Sequence, residues 1–231
     1  MSKQIPENLF DLAEEYDAML NRGLRVTGED KSYFAHGRVR ALKELYIPDF
    51  HAADILDFGS GIGDTSRILA QYFPGARVVG VDTSESAVAW ANQHNSGEGV
   101  SFQLLSEFAA DGGFDLVYVN GVFHHIAPES RMEALGLIRD ALRPGGRVAF
   151  FENNPWSVPA RIVMSRIPFD KDARMVSPRL ASSMLSEAGF RIDQVRYLFF
   201  FPGYLSALRS LEPRLARVPL GAQYLVVAVK D

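Results

Sequence analysis

Residues 55–63 read Ile-Leu-Asp-Phe-Gly-Ser-Gly-Ile-Gly: an apolar run, a carboxylate at Asp57, then glycines at alternate positions, Gly59, Gly61 and Gly63. Such a string is a buried strand turning into a helix. Glycines at the turn let backbone come close to a ligand, because no Cβ intervenes and φ can become positive. The dinucleotide fingerprint G-x-G-x-x-G/A is not met, since its third small residue would fall at Asp64. Asp57 argues the same way. A carboxylate two residues before the first glycine would face a dianionic pyrophosphate at a helix N-terminus, an unfavourable pairing, whereas it suits a ligand that brings positive charge.

A second apolar run, Arg77 to Asp82, ends in an acid about twenty residues past the glycines, placed to accept from both hydroxyls of a ribose. Asp82, Thr83 and Ser84 also read as the N-cap of a helix beginning near Glu85. The D-x-G-x-G-x-G string resembles motif I of the class I methyltransferases, whose cofactor, S-adenosylmethionine, has no phosphate and carries an ammonium and a sulfonium. The resemblance extends over residues 53–152. It takes in a third strand, Val100 to Leu105, before Ser106 and Glu107, and a fourth, Phe114 to Asn120, before Gly121-Val-Phe-His124-His125. A fifth strand, Gly146 to Glu152, is announced by Leu142-Arg-Pro-Gly-Gly.

The resemblance implies a doubly wound, Rossmann-like α/β fold: a mostly parallel seven-stranded sheet with the last strand reversed, behind an N-terminal helical lid. Helix 178–188 and strands 191–201 and 224–229 would complete the sheet. It also implies a cofactor site. Gly59, Ser60 and Gly61 bring backbone to the methionyl part, Asp57 lies near its ammonium, and Asn120 touches the same side. Asp82 and the adjoining Thr83 hold the ribose, and Ser106 with Glu107 flank the adenine. Many relatives carry an Asp where this chain has Ser106, which is a departure from the family pattern.

With 231 residues and 47% hydrophobic content, the chain suits one α/β domain over 51–231 and a lid over 1–50, with 155–220 as the substrate region. There is no cysteine, so disulfides and thiolate chemistry are excluded. His36, His51 and His94 show no metal-ligand spacing. No signal-like segment or membrane-length apolar stretch is seen, and a cytoplasmic protein is expected. Lys and Arg against Asp and Glu number 13 and 22 over residues 1–154, and 11 and 6 over 155–231. An acidic front disfavours nucleic acid as a partner. The N/D-P-P-Y/F motif of amino-directed nucleic-acid methyltransferases is also absent after the fourth strand, where Asn120-Gly-Val-Phe stands; Asn153-Asn-Pro-Trp156 follows the fifth strand and reads as a turn.

Leu9, Leu12 and Tyr16 fall at helical spacing, and Tyr33 to Tyr46 forms a second helical segment. The phrase Phe10 to Asp17 resembles the lid of small-molecule methyltransferases of ubiquinone and sugar pathways, in which the tyrosine, here Tyr16, closes over the cofactor. Arg38 and Arg40 read as solvent-facing arginines, with contact to the methionyl carboxylate as the alternative. His124 and His125 are candidate general bases at the mouth of the site; ring packing is the other reading. Tyr197-Leu-Phe-Phe-Phe-Pro-Gly-Tyr204-Leu, among many arginines, points to an apolar acceptor with an anionic group, or to peripheral contact with an anionic membrane. The expected activity is in-line transfer of a methyl group to O, N or C of a small molecule. A non-catalytic cofactor-binding subunit and a nicotinamide oxidoreductase are the alternatives. The sequence does not specify an oligomeric state.

Overall fold

A computed structural model describes residues 21–46, 51–167 and 174–231 of the chain. Seven runs of alternating or fully apolar residues become strands: β1 (Asp54–Phe58), β2 (Arg77–Asp82), β3 (Val100–Leu104), β4 (Phe114–Asn120), β5 (Leu142–Asn153), β6 (Phe190–Leu198) and β7 (Gln223–Lys230). They form one sheet in the order β3-β2-β1-β4-β5-β7-β6. Neighbours from β3 to β5 are parallel, and β7 runs antiparallel to both β5 and β6. The seven-stranded sheet with a reversed last strand is therefore observed as expected.

Among the described residues, seven α-helices accompany it: α1 (Lys31–Tyr46), α2 (Asp64–Tyr72), α3 (Glu85–His94), α4 (Arg131–Ala141), α5 (Val158–Met164), α6 (Pro178–Glu187) and the single turn α7 (Glu212–Leu215). Because side chains alternate across a strand, each strand feeds two cores. Val39 and Leu42 of α1, Leu69 of α2 and Val88 of α3 pack with Ile55, Val78, Leu116 and Phe151 on one face. Leu135 and Ile138 of α4 and Leu185 of α6 pack with Leu56, Val117, Val148, Phe150 and Val226 on the other. Serine caps start the helices where polar residues precede apolar periodicity. Ser84 accepts from Ala87 N at 3.2 Å, and Ser177, ahead of Pro178 in the first turn, accepts from Leu180 N at 3.2 Å.

Two strand boundaries differ from expectation. β5 begins at Leu142, which pairs with Phe114 before the register shifts at Leu116, so the Pro-Gly-Gly phrase is an irregular lead-in to the strand as well as the end of α4. β6 stops at Leu198, short of residue 201, because Phe199 turns into the left-handed region at φ 61°. Its ring leaves the sheet and meets Phe34 at 4.9 Å and Tyr33 at 5.9 Å on α1. Gly37 makes room for it: a Cβ there would lie 2.6 Å from Phe199 Cε1. The expected lid residues Leu9, Leu12 and Tyr16 lie outside the described residues.

The registers place the functional candidates along one edge. Phe58 stands level with Val81 and Val119, Asn120 with Phe151, and Glu152 with Tyr224, so Gly59, Asp82, Asn120 and Glu152 emerge together at the carboxyl ends of β1, β2, β4 and β5. Ligands of open α/β sheets bind at that edge.

Phe150 is fully buried and its ring lies 4.8 Å from that of Phe123. Phe150→Ala is expected to cost about 3–5 kcal/mol in urea unfolding, while Val158→Ala, at a side chain 62% exposed, should stay within about 0.5 kcal/mol of the parent.

Candidate active site

The turn after β1 has already committed its backbone donors. Gly59 N and Ser60 N donate to Val81 O at 2.8 and 3.0 Å, and Gly63 N donates to Ser60 O at 3.0 Å. Gly61 N donates to Asp82 Oδ2 at 2.8 Å, and the other oxygen of Asp82 accepts from Ser84 N at 3.0 Å. An anion cradle needs N–H groups aimed outward. Here those of Gly59, Ser60, Gly61 and Gly63 point back into the protein. Gly59, at φ 77°, is dictated by packing, since a Cβ there would overlap Val122. Gly61, at φ 53°, is different: a Cβ there would stand in open space, on the side where a ligand can approach. Ser60 Oγ is buried and has no hydrogen-bond partner among the described residues.

Asp57 lies beneath this turn, not beside it. Its carboxyl is 3% exposed and accepts from Ser66 Oγ, in the first turn of α2, at 2.6 Å. Burial is the largest influence on it and raises its pKa to about 7; the Ser66 hydrogen bond opposes this, nearby Asp82 adds to it, and Arg38 works against it. Arg38 corrects the sequence reading. It is 8% exposed and not solvent-facing: Nε donates to Tyr118 Oη and Nη1 to Gln223 Oε1, both at 3.1 Å, and Gln223 in turn donates to Asn153 Oδ1 at 3.0 Å. Burial pushes the Tyr118 phenol up to about 12, so it stays protonated. Arg40 is exposed as expected. The helical periodicity of apolar residues around Arg38 carried its signal, because Ala35, Val39 and Leu42 share its side of α1 and are buried.

The remaining cofactor candidates flank this core. Asn120 is half-buried at the end of β4, and Thr83 is exposed after β2. Ser106 and Glu107 are both exposed in a 3₁₀ turn, Leu105–Glu107, directly after β3. An ion pair of 2.5 Å between Lys31 and Asp64 ties the start of α1 to the start of α2.

The two histidines separate in character. His125 is exposed, whereas His124 is buried, with their ring centroids 4.1 Å apart. Sequence reading missed the partner of His124. Glu152, near the end of β5 and 2% exposed, places Oε2 at 2.6 Å from His124 Nδ1 and accepts the His124 backbone N–H on Oε1 at 3.2 Å. A carboxylate directly after the apolar, buried run Val148-Ala-Phe-Phe151 was the available signal, since such a group requires a partner. The turn 153–156 behaves as expected, with buried Asn154 donating to Gly221 O at 2.8 Å and accepting from Trp156 N at 3.1 Å.

In the substrate region, Arg209 is engaged: it pairs with Glu29 at 2.7 Å and stacks over Tyr33 at 4.4 Å. Tyr204, Leu205, Leu208 and Leu211 are exposed along a 3₁₀ segment, Gly203–Leu211. Among the described residues no cluster of His, Asp or Glu could hold a metal ion, and no helix is long and apolar enough to cross a membrane.

A family model described as a methyltransferase domain matches residues 56–148. The chain is similar to a trans-aconitate 2-methyltransferase of Rhodopseudomonas palustris, 29% identical over 185 residues, covering 79% of this chain and 67% of the relative. It is also similar to a demethylmenaquinone methyltransferase of Thermus thermophilus, 34% identical over 106 residues, covering 44% and 47% respectively. The chain thus spans about two thirds or less of the length of these curated relatives. A crystal structure of an S-adenosylmethionine-dependent methyltransferase from Archaeoglobus fulgidus shares the fold at TM-score 0.61 and 21% identity, covering 84% of this chain and 94% of that one.

Two outcomes follow for the buried acid. Because the folded protein holds the Asp57 proton more tightly than the unfolded chain, this residue's contribution to stability is complete below about pH 4 and is lost as pH rises to about 7, a change of a few kcal/mol at most. Asp57→Asn should flatten that part of the stability profile and melt at or above the parent at pH 8, while binding S-adenosylmethionine at least about tenfold more weakly. Gly61→Ala, strained only by its positive φ, should lose about 1 kcal/mol of stability yet lose most cofactor affinity in calorimetry.

Proposed function

The chain belongs to the class I S-adenosylmethionine-dependent methyltransferases, and on that premise we propose that it methylates a small-molecule acceptor by in-line displacement at the carboxyl edge of β1, β2, β4 and β5. One observation carries the cofactor part of this reading. The turn faces open space at Gly61, its N–H groups are turned inward, and acids lie under and beside it at Asp57 and Asp82. That arrangement repels a pyrophosphate and accommodates an ammonium. The buried Ser60 hydroxyl without a partner, and Arg38 as the cation in this acidic corner, fit the two ends of a methionyl zwitterion.

When bound, S-adenosylmethionine supplies a methyl group already activated on a sulfonium, so the protein's task is to position and to exclude water. Asp82 uses one lone pair per oxygen on Gly61 and Ser84, which leaves acceptor capacity for ribose hydroxyls, with Thr83 adjacent. Ser106 and Glu107 flank the adenine beyond β3, and Asn120 closes the methionyl side. Tyr16, outside the described residues, is assigned to the lid by the resemblance alone. Relatives named for trans-aconitate and for demethylmenaquinone support a small-molecule acceptor.

The exposed apolar side chains Leu205, Leu208 and Leu211 favour an apolar acceptor reached from a membrane surface. Leu208 and Leu211, three residues apart, share one side of the 3₁₀ segment beyond the kink at Leu205, and exposed Tyr204, Arg214 and Arg217 lie close in sequence. Reversing both Arg214 and Arg217 to Glu should weaken sedimentation with anionic vesicles several-fold without changing cofactor affinity; unchanged sedimentation contradicts membrane delivery.

The activity is tested by incubating the protein and S-adenosylmethionine with a broad panel of small acceptors. Formation of S-adenosylhomocysteine that depends on acceptor and is abolished by Asp82→Ala is expected. Tight binding without turnover across the panel would instead support a non-catalytic role.

A further inference from the structure

Residues 155–231 carry a basic surplus, and one arginine among them, Arg174, is placed unlike the rest. Its main chain is fastened to the carboxyl edge of the sheet. The Arg174 N–H donates to His124 O at 3.0 Å, in the turn directly past β4, and the Arg174 carbonyl accepts from Arg131 Nη2 at 3.2 Å. Further along, Val176 O accepts from the Tyr224 hydroxyl of β7 at 2.8 Å. Arg131 is 4% exposed, and its Nε donates to Ile126 O at 3.1 Å, so one buried cation joins the strap 174–176 to the turn between β4 and α4. A charge taken out of water is costly unless it is hydrogen-bonded. The turn after β4, the start of α4 and the strand β7 thus hold the strap together.

All of these bonds use main-chain atoms of the strap, and none uses the Arg174 side chain. That side chain is exposed, and among the described residues its guanidinium has no hydrogen-bond or ion-pair partner. Other arginines of the region are committed elsewhere: Arg209 pairs with Glu29, Arg196 donates to Gln194, Arg191 pairs with Asp231 and Arg179 lies over the Trp156 ring. A guanidinium on a fixed backbone has less freedom to lose on binding, and its planar fork matches the two oxygens of a carboxylate. Arg38, the other arginine facing this edge, is already bonded to Tyr118 and Gln223. One free guanidinium balances one negative charge. A phosphate group, with close to two, would be left undercompensated at an edge that also carries Asp82 and Glu152.

We infer that Arg174 is a specificity residue for the acceptor: fastened to the edge beyond β4 by its main chain alone, it offers its guanidinium to a carboxylate of the molecule to be methylated. This deepens the small-molecule reading above and rests on it. The acceptor class is then an organic acid, and a neutral molecule of the same shape is rejected because it leaves the guanidinium without a counter-charge.

Calorimetry on the full chain loaded with S-adenosylhomocysteine, so that nothing turns over, tests it. Aliphatic and aromatic mono-, di- and tricarboxylates are titrated, each beside its amide. At least one carboxylate should bind, with its amide about tenfold weaker or more. Arg174→Gln should erase that difference while holding S-adenosylhomocysteine within about twofold of the parent and melting with it, because the strap is held through the main chain. Arg191→Gln, at the opposite edge where β6 begins, should leave the preference for the acid intact. The inference is overturned if no carboxylate binds, if acid and amide bind alike, or if Arg174→Gln keeps the parent's preference. Equal loss of the preference in Arg191→Gln, or tighter binding of inorganic phosphate than of every acid tried, overturns it too. Failure to bind S-adenosylhomocysteine at all overturns the methyltransferase reading itself.

Discussion

Asp57, out of water beneath the glycine turn and held by Ser66, is the contact on which the site depends. An acid in that position is destabilising as an anion, as its raised pKa records. A fold keeps such a group when something else needs its charge, and the inward-facing N–H groups of the turn show that this something is not an anion. The same backbone bonds that exclude a pyrophosphate also lock β1 to β2 through Val81 and Asp82, so the selectivity of the turn and its rigidity have one origin.

The sheet divides the work between its two faces. Asp57, Arg38 and Tyr118 belong to the side covered by α1, α2 and α3, while Glu152 and Tyr224 belong to the side covered by α4 and α6. The candidate cofactor residues and the His124–Glu152 pair therefore approach the same edge from opposite layers. α1 binds the halves together. Its first residue pairs with Asp64, Arg38 reaches Tyr118 and Gln223, and Phe199 from the end of β6 packs against its glycine.

Much of this was legible in the sequence, for reasons that can be assigned to particular residues. Glycine spacing, the acids at Asp57 and Asp82 and the strand-period runs are local signals that marked the strands and the turn, and the family resemblance they carry implied the sheet order and its reversed last strand. What local pattern did not reveal depends on contacts far apart in the chain. Arg38 read as solvent-facing because a lone arginine on a helix usually is, and its partners Tyr118 and Gln223 are 80 and 185 residues away. Glu152 read as the end of a strand, since its partner lies 28 residues back across a crossover helix. The early end of β6 at Phe199 follows from a left-handed residue and a ring that fits over Gly37, neither of which propensity anticipates.

The central claim is that an acid-backed, donor-poor glycine turn selects a cationic sulfonium nucleoside over a pyrophosphate. Calorimetric titration of the unmodified protein with S-adenosylmethionine and, separately, with a nicotinamide dinucleotide tests it most directly. The account predicts a dissociation constant of micromolar order for the first and no measurable heat for the second; saturable binding of the dinucleotide, or none of the sulfonium, would contradict it.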